Sequence, residues 1–198
     1  NDAGESESEP AKLSVNLPLN IVTDLEDVLA LVGDEAKLSV EVSGNNPEYK
    51  WFHDGGVIEN ASGTVLVLSE LSLNDAGKYW VEISNPTGTI RSAVIDLDVV
   101  AAPIITSAPA SIRVANGRTT VFNVLASGTQ PFSYQWLKDG VKLAGEHNPQ
   151  LIVSDVSKIN QGDYTVSVSN RGGVVESGIA ELTVVLPVKI TSDLDDLT

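Results

Sequence analysis

The sequence predicts an all-β protein made of two antiparallel β-sandwiches in tandem. Three observations predict it. The chain repeats with a period of 85 residues, its short runs alternate apolar and polar residues, and turn signals separate those runs. The repeat is plainest at Ser133-Tyr134-Gln135-Trp136-Leu137-Lys138-Asp139-Gly140, which echoes Glu48-Tyr49-Lys50-Trp51-Phe52-His53-Asp54-Gly55. Tyr79 and Tyr164 keep the spacing, Ser84-Asn85 recurs as Ser169-Asn170, and Leu66-Val67-Leu68 recurs as Leu151-Ile152-Val153.

Unit boundaries follow from the same comparison. Pro18, Pro103 and Pro187 open successive units at spacings of 85 and 84 residues, and Ala11–Pro18 parallels Ala180–Pro187. The expected organisation is therefore an acidic tail plus the last strand of a preceding repeat (1–16), a first domain (17–101), a second (102–186) and the start of a following repeat (187–198). The linker falls near Val99-Val100-Ala101-Ala102. Pro103 fixes the backbone there, which favours an extended, semi-rigid rod.

Each element of the first unit has its own signal. Lys37 to Val42 alternates, with Leu38, Val40 and Val42 inward. Tyr49 and Trp51 point inward on the next strand, Leu66 and Leu68 on another. Tyr79, Val81 and Ile83 form the following inward set, and Ile95, Leu97 and Val99 the last, with Asp96 and Asp98 outward. Gly44-Asn45-Asn46-Pro47, Asp54-Gly55-Gly56, Asn74-Asp75-Ala76-Gly77 and Asn85-Pro86-Thr87-Gly88 are turn signals. One short helical turn is expected at Leu71-Ser72-Leu73-Asn74.

Composition narrows the function. The net charge of −15 lies mostly in residues 17–101, which hold 14 acids against 4 bases, whereas residues 102–186 hold 6 of each. Nucleic-acid binding needs clustered Lys and Arg and is not expected. No apolar run approaches the roughly 18–20 residues that span a membrane, so no membrane insertion is expected in this segment. The absence of cysteine excludes disulfides, thiolate metal sites and cysteine nucleophiles.

Both units resemble immunoglobulin-like domains of the intermediate set. The resemblance rests on Trp51, Leu66, Asp75, Gly77, Tyr79, Asn85 and Gly88 in the first unit, and on Trp136, Leu151, Gly162, Tyr164, Asn170 and Gly173 in the second, where Asn160 replaces the Asp. The start of the second unit, Pro103 to Ser111, resembles cysteine-free repeats of large bacterial surface and secreted proteins. The resemblance places the family's disulfide cysteines on Val40 and Val81, and on Val124 and Val166. A native disulfide in a small domain is worth about 2–5 kcal/mol, and burying a valine side chain roughly 1.5–3 kcal/mol. Two valines packed under Trp51 or Trp136 would offset much of the loss. Tyr79 and Tyr164 fall where the family has its tyrosine corner.

Candidate sites are few. His53 and His147 both fall in predicted turns, and no catalytic residue is proposed. Asp24, Glu26 and Asp27 in the first strand region, and Asp193, Asp195 and Asp196 near the end, are weak candidates for calcium, which needs six to eight converging oxygens. No cofactor is expected apart from a possible calcium ion. The sharpest feature is on the outward face of the first unit, where Phe52 and Trp80 would lie on adjacent strands, with Lys50 and Glu82 on the same face and the pair Asp96 and Asp98 on the last strand. Two outward aromatics ringed by acids read either as a stiffening cross-strand pair or as a platform for a protein or sugar partner. Asn60-Ala61-Ser62 is a sequon in a predicted loop.

The expected function is non-enzymatic. The domains read as spacer or adhesive modules of a large extracellular or cell-surface bacterial protein, whose partners are neighbouring domains and a protein or glycan at a surface. Alternatives are a surface layer or fibre bridged by calcium, a carbohydrate-binding accessory of a secreted enzyme, and an intracellular muscle-type array.

Overall fold

A computed structural model describes residue 9 and residues 15–187, and the chain divides into two units at Val99/Val100. Unit 1 holds β1 (Asn20–Thr23), β2 (Val28–Leu31), β3 (Ala36–Ser39), β4 (Glu41–Ser43), β5 (Glu48–His53), β6 (Gly56–Val57), β7 (Val65–Leu68), β8 (Gly77–Asn85), β9 (Gly88–Arg91) and β10 (Ile95–Val100). One layer runs β2-β10-β8-β5-β6, with β9 also on β8. The other consists of β1 on β4 and β3 on β7.

Unit 2 repeats this order with β11 (Ile104–Ser107), β12 (Ile112–Ala115), β13 (Thr120–Asn123), β14 (Leu125–Ser127), β15 (Ser133–Lys138), β16 (Val141–Lys142), β17 (Gln150–Val153), β18 (Gly162–Asn170), β19 (Gly173–Glu176) and β20 (Ala180–Val185). Its layers are β12-β20-β18-β15-β16, with β19 on β18, against β11 on β14 and β13 on β17. The expected strands at 11–15 and 187–198 lie largely outside the described residues.

Alternation builds the core. Along β8 the inward residues Tyr79, Val81 and Ile83 are all but fully buried, and Trp51 faces Val81 across the β5–β8 pair. Val40 completes the contact from the other layer, and Trp136, Val124 and Val166 form the same arrangement in unit 2. Both indoles are fully buried, so each N–H needs an acceptor. Trp51 donates to Gly63 O at 2.9 Å and Trp136 to Asn148 O at 2.9 Å.

Three details differ from the sequence reading. The run 37–42 is two strands, because β3 pairs with β7 whereas β4 pairs with β1, and Val40 between them donates its N–H to Thr64 O at 3.0 Å. The helical turn lies at Leu73–Asp75, since the Asp75 carboxylate accepts from Ser72 N at 2.8 Å and Ser72 Oγ at 2.7 Å and so starts the turn there. In unit 2 Asn160 accepts from Ser157 N at 2.9 Å, so the Asp-to-Asn change preserves the capping bond. Finally, Asp24, Glu26 and Asp27 lie on the crossover between β1 and β2, which belong to different layers.

Tyr79 Oη donates to Asp75 O, and Tyr164 Oη to Asn160 O, each at 2.8 Å. These bonds tie the turns before β8 and β18 to the core. Gly77 makes the close approach there possible: at φ +156°, a Cβ would stand 2.5 Å from His53 Nε2.

Val81→Ser will lower the stability of unit 1 by about 1–3 kcal/mol, because it sets a hydroxyl without a partner beneath Trp51. Thermal unfolding checks this; an unchanged melting curve contradicts the packing described.

Candidate functional site

The outer face of unit 1 is the surface that the sequence marks out. β5 and β8 are paired in the register Lys50↔Glu82 and Phe52↔Trp80, which sets the two aromatics side by side on the outward face. Their rings stack at 5.1 Å between centroids and 5° between planes. Lys50 Nζ lies 5.5 Å from the Phe52 ring centroid, and the Arg91 guanidinium lies 4.4 Å over the Trp80 ring.

Basic side chains stand among the expected acids. Cations cover the aromatic pair, and Arg91, brought in by β9 opposite Glu82, was not anticipated. The missed signal is the short hairpin: Gly88 returns the chain onto β8, which carries Arg91 back beside Trp80. Asp96 sits opposite Lys78 and forms an ion pair with it at 2.9 Å, which holds the lysine ammonium above its ordinary pKa. Asp98 is outward on β10. The Trp80 Nε1–H is buried without an acceptor among the described residues, and the guanidinium already occupies the ring face a sugar would stack on.

The acidic candidates serve the backbone. Asp24 accepts from Leu25 N at 2.8 Å and Ala93 N at 3.0 Å, and Asp27 accepts from Asp96 N at 2.8 Å. Together they fasten the β1–β2 crossover to β10 and to the segment before it. Glu26 is exposed on the same crossover. Asp193, Asp195 and Asp196 lie outside the described residues. Among the described residues no group of three or more His or acidic side chains is placed to hold a metal ion.

His53 is likewise not in a solvated turn. It ends β5, half-buried, with its ring stacked on Tyr79 at 4.4 Å and 9°. His147 is exposed, with Nδ1 3.1 Å from Tyr134 O. Two buried serines escaped the sequence reading. Ser92 Oγ accepts from Val81 N at 3.0 Å and donates to Ala93 O at 2.8 Å, and Ser177 Oγ accepts from Val166 N and donates to Gly178 O. They carry the chain across from β9 to β10 and from β19 to β20. Their recurrence 85 positions apart was the available signal.

Two sandwiches of this strand order, each with a buried tryptophan on β5 or β15 and a tyrosine hydroxyl bonded to the turn before β8 or β18, define the class. The chain belongs to the immunoglobulin-domain family, whose family model matches residues 20–85 and 102–170. The chain is similar to the muscle M-line assembly protein unc-89 of Caenorhabditis elegans, with 31% identity over 99% of the chain and 3% of that protein. It is also similar to the netrin receptor DCC of Rattus norvegicus, with 27% identity over 94% of the chain and 14% of the receptor. The chain thus spans a small part of these relatives. Immunoglobulin domains 1–4 of Sidekick-1 share the fold, at a TM-score of 0.74 and 22% identity over 88% of this chain and 51% of that one. Relatives of this kind are structural or receptor proteins, found both at cell surfaces and inside muscle. No helix among the described residues is long and apolar enough to cross a membrane.

Two outcomes follow. Arg91→Ala will expose Trp80 to acrylamide quenching while Trp51 and Trp136 stay protected; unchanged quenching contradicts the guanidinium cover. Burial, with the nearby Asp75 and Asp54 charges, pushes the Tyr79 hydroxyl up to about 12 from its ordinary value of 10.0. The folded state therefore holds this proton more tightly than the unfolded chain. The resulting stability is complete below pH 10 and is lost as pH rises through about 12. Alkaline titration by absorbance, followed alongside unfolding, will show late-ionising tyrosine that titrates together with the loss of structure.

Proposed function

We propose that the two domains are non-enzymatic spacer and interaction modules of a longer array, which hold other parts of the parent chain apart under tension. The observation that carries this reading is the parallel pairing of the first strand of the β18 layer with the last. In unit 2, β12 and β20 run in the register Ile112↔Leu182 to Ala115↔Val185. Parallel strands place the incoming and outgoing chain at opposite ends of the pair, so tension loads the ladder in shear and its bonds resist together. Asn170 adds to this, since Nδ2 donates to Ala101 O at 2.8 Å and Thr129 O at 2.6 Å and so holds the incoming segment to the end of β18. Asn85 holds Leu17 O and Asn45 O in the same way in unit 1.

An extracellular or cell-surface setting draws support from the netrin receptor, and its bacterial form from the residues Pro103 to Ser111 and the lack of cysteine. A second reading, an intracellular muscle-type array, is favoured by the identity to the M-line assembly protein. Both use the module in the same mechanical way.

Single-molecule stretching of the whole chain, with and without calcium, tests the reading. The expected trace shows a discrete unfolding step for unit 2 that calcium leaves unchanged. Stretching without a resolved step overturns the mechanical role, and calcium-dependent strengthening moves the reading to a calcium-bridged lattice.

A further inference from the structure

The open edge of β7 is built to accept another strand. Among the described residues β7 has one strand neighbour, β3, in the register Ala36↔Leu68 to Ser39↔Val65. In an antiparallel ladder alternate residues turn their N–H and C=O to the same neighbour. Val40 N donates to Thr64 O, so Thr64, Leu66 and Leu68 face β3, and the main chain of Val65 and Val67 faces away from it. Both valines are also exposed on their side chains, at 45% and 48%. A groove of about 410 Å³ is lined by Val65 to Leu68 of β7 and by residues 58–63 of the connection before it.

Edges of natural sheets are usually blunted by charge, proline or a bulge. This one has none. Residues 61–69 carry no charged residue and no proline, and the β3–β7 register is unbroken. The nearest acids in sequence are Glu59, which lines the groove, and Glu70 just beyond the strand, and residues 17–101 hold 14 acids against 4 bases.

We propose that β7 of unit 1 binds an extended peptide segment of a protein partner by strand addition. The partner strand carries alternating apolar side chains, which pack beside Val65 and Val67, and Lys or Arg at its ends, which meet Glu59 and Glu70. Main-chain bonds to Val65 and Val67 hold it, and the flanking charges select it. Unit 2 has a similar groove of about 330 Å³ beside β17, with Ile152 58% exposed. There Lys138 and Glu146 both stand in the wall and Pro149 precedes the strand, so that groove lacks the preference for a basic strand. The proposal deepens the interaction part of the reading above, and the stretching experiment stands independently of it.

The test is calorimetric titration of the whole chain with the synthetic peptide acetyl-Lys-Val-Thr-Val-Thr-Val-Lys-amide. Saturable binding that weakens with added salt is expected. The same peptide N-methylated at two consecutive central residues, which blocks both of its edges, should bind at least about tenfold more weakly. Val67→Pro, which removes an N–H that the fold does not use, should do the same while unit 1 keeps its melting curve. The N-methylated peptide keeps the test sound even where that variant misfolds, because it leaves the protein untouched. Equal binding by the blocked peptide, or binding that salt does not weaken, overturns the proposal. So does self-association of the chain that Val67→Pro abolishes with no peptide binding, since the edge then serves a second copy.

Discussion

Each unit is assembled around one buried hydrogen bond, the indole N–H of Trp51 or Trp136 to a main-chain carbonyl. The ring has no exposure, and a buried donor left without an acceptor costs about 1–3 kcal/mol. The acceptor has to come from chain passing over the core, and Gly63 and Asn148 supply it from the connections before β7 and β17. That requirement sets the path of each connection. The same connections line the grooves beside β7 and β17, and among the described residues no strand pairs with the far edge of either.

The same frame tolerates two ways of distributing aromatic rings. In unit 2, Phe122 on β13 packs inside against Trp136 at 6.1 Å and Tyr164 at 4.8 Å. Unit 1 has Leu38 at the equivalent place, and the flank of Tyr79 is covered instead by His53 from the end of β5. Unit 1 also places two rings outside, Phe52 and Trp80, between Lys50 and Arg91. The inner face must stay close-packed in both units. The outer face is free to diverge, and there the two units share little beyond the backbone.

This division explains what could be read from the sequence. The inward sets on β5, β8 and β10 follow from alternation, a local property of a strand; the 85-residue period follows from the repeat, and the valines beneath each tryptophan from the family resemblance. Arg91 over Trp80, Asp24 on Ala93 N and Asp27 on Asp96 N do not, because they depend on how far β9 and the β1–β2 crossover carry the chain. An exposed Asp in a charge-rich stretch looks the same whether it caps a backbone amide or faces water. The split of residues 37–42 into β3 and β4 is equally hidden, since Val40 keeps its inward phase while its neighbours change partner.

The charge asymmetry takes on a physical meaning at this point. Both units have open edges and grooves, so topology alone does not distinguish them. Unit 1 concentrates its acids yet leaves residues 61–69 uncharged. Carboxylates along that edge would have protected it from pairing, and the nearest in sequence are Glu59 and Glu70. A like-charged copy approaching this edge meets repulsion from the whole acidic unit, whereas a strand with basic ends meets attraction that falls with salt. The surface that protects the protein from itself is thus the one that favours a partner of opposite charge.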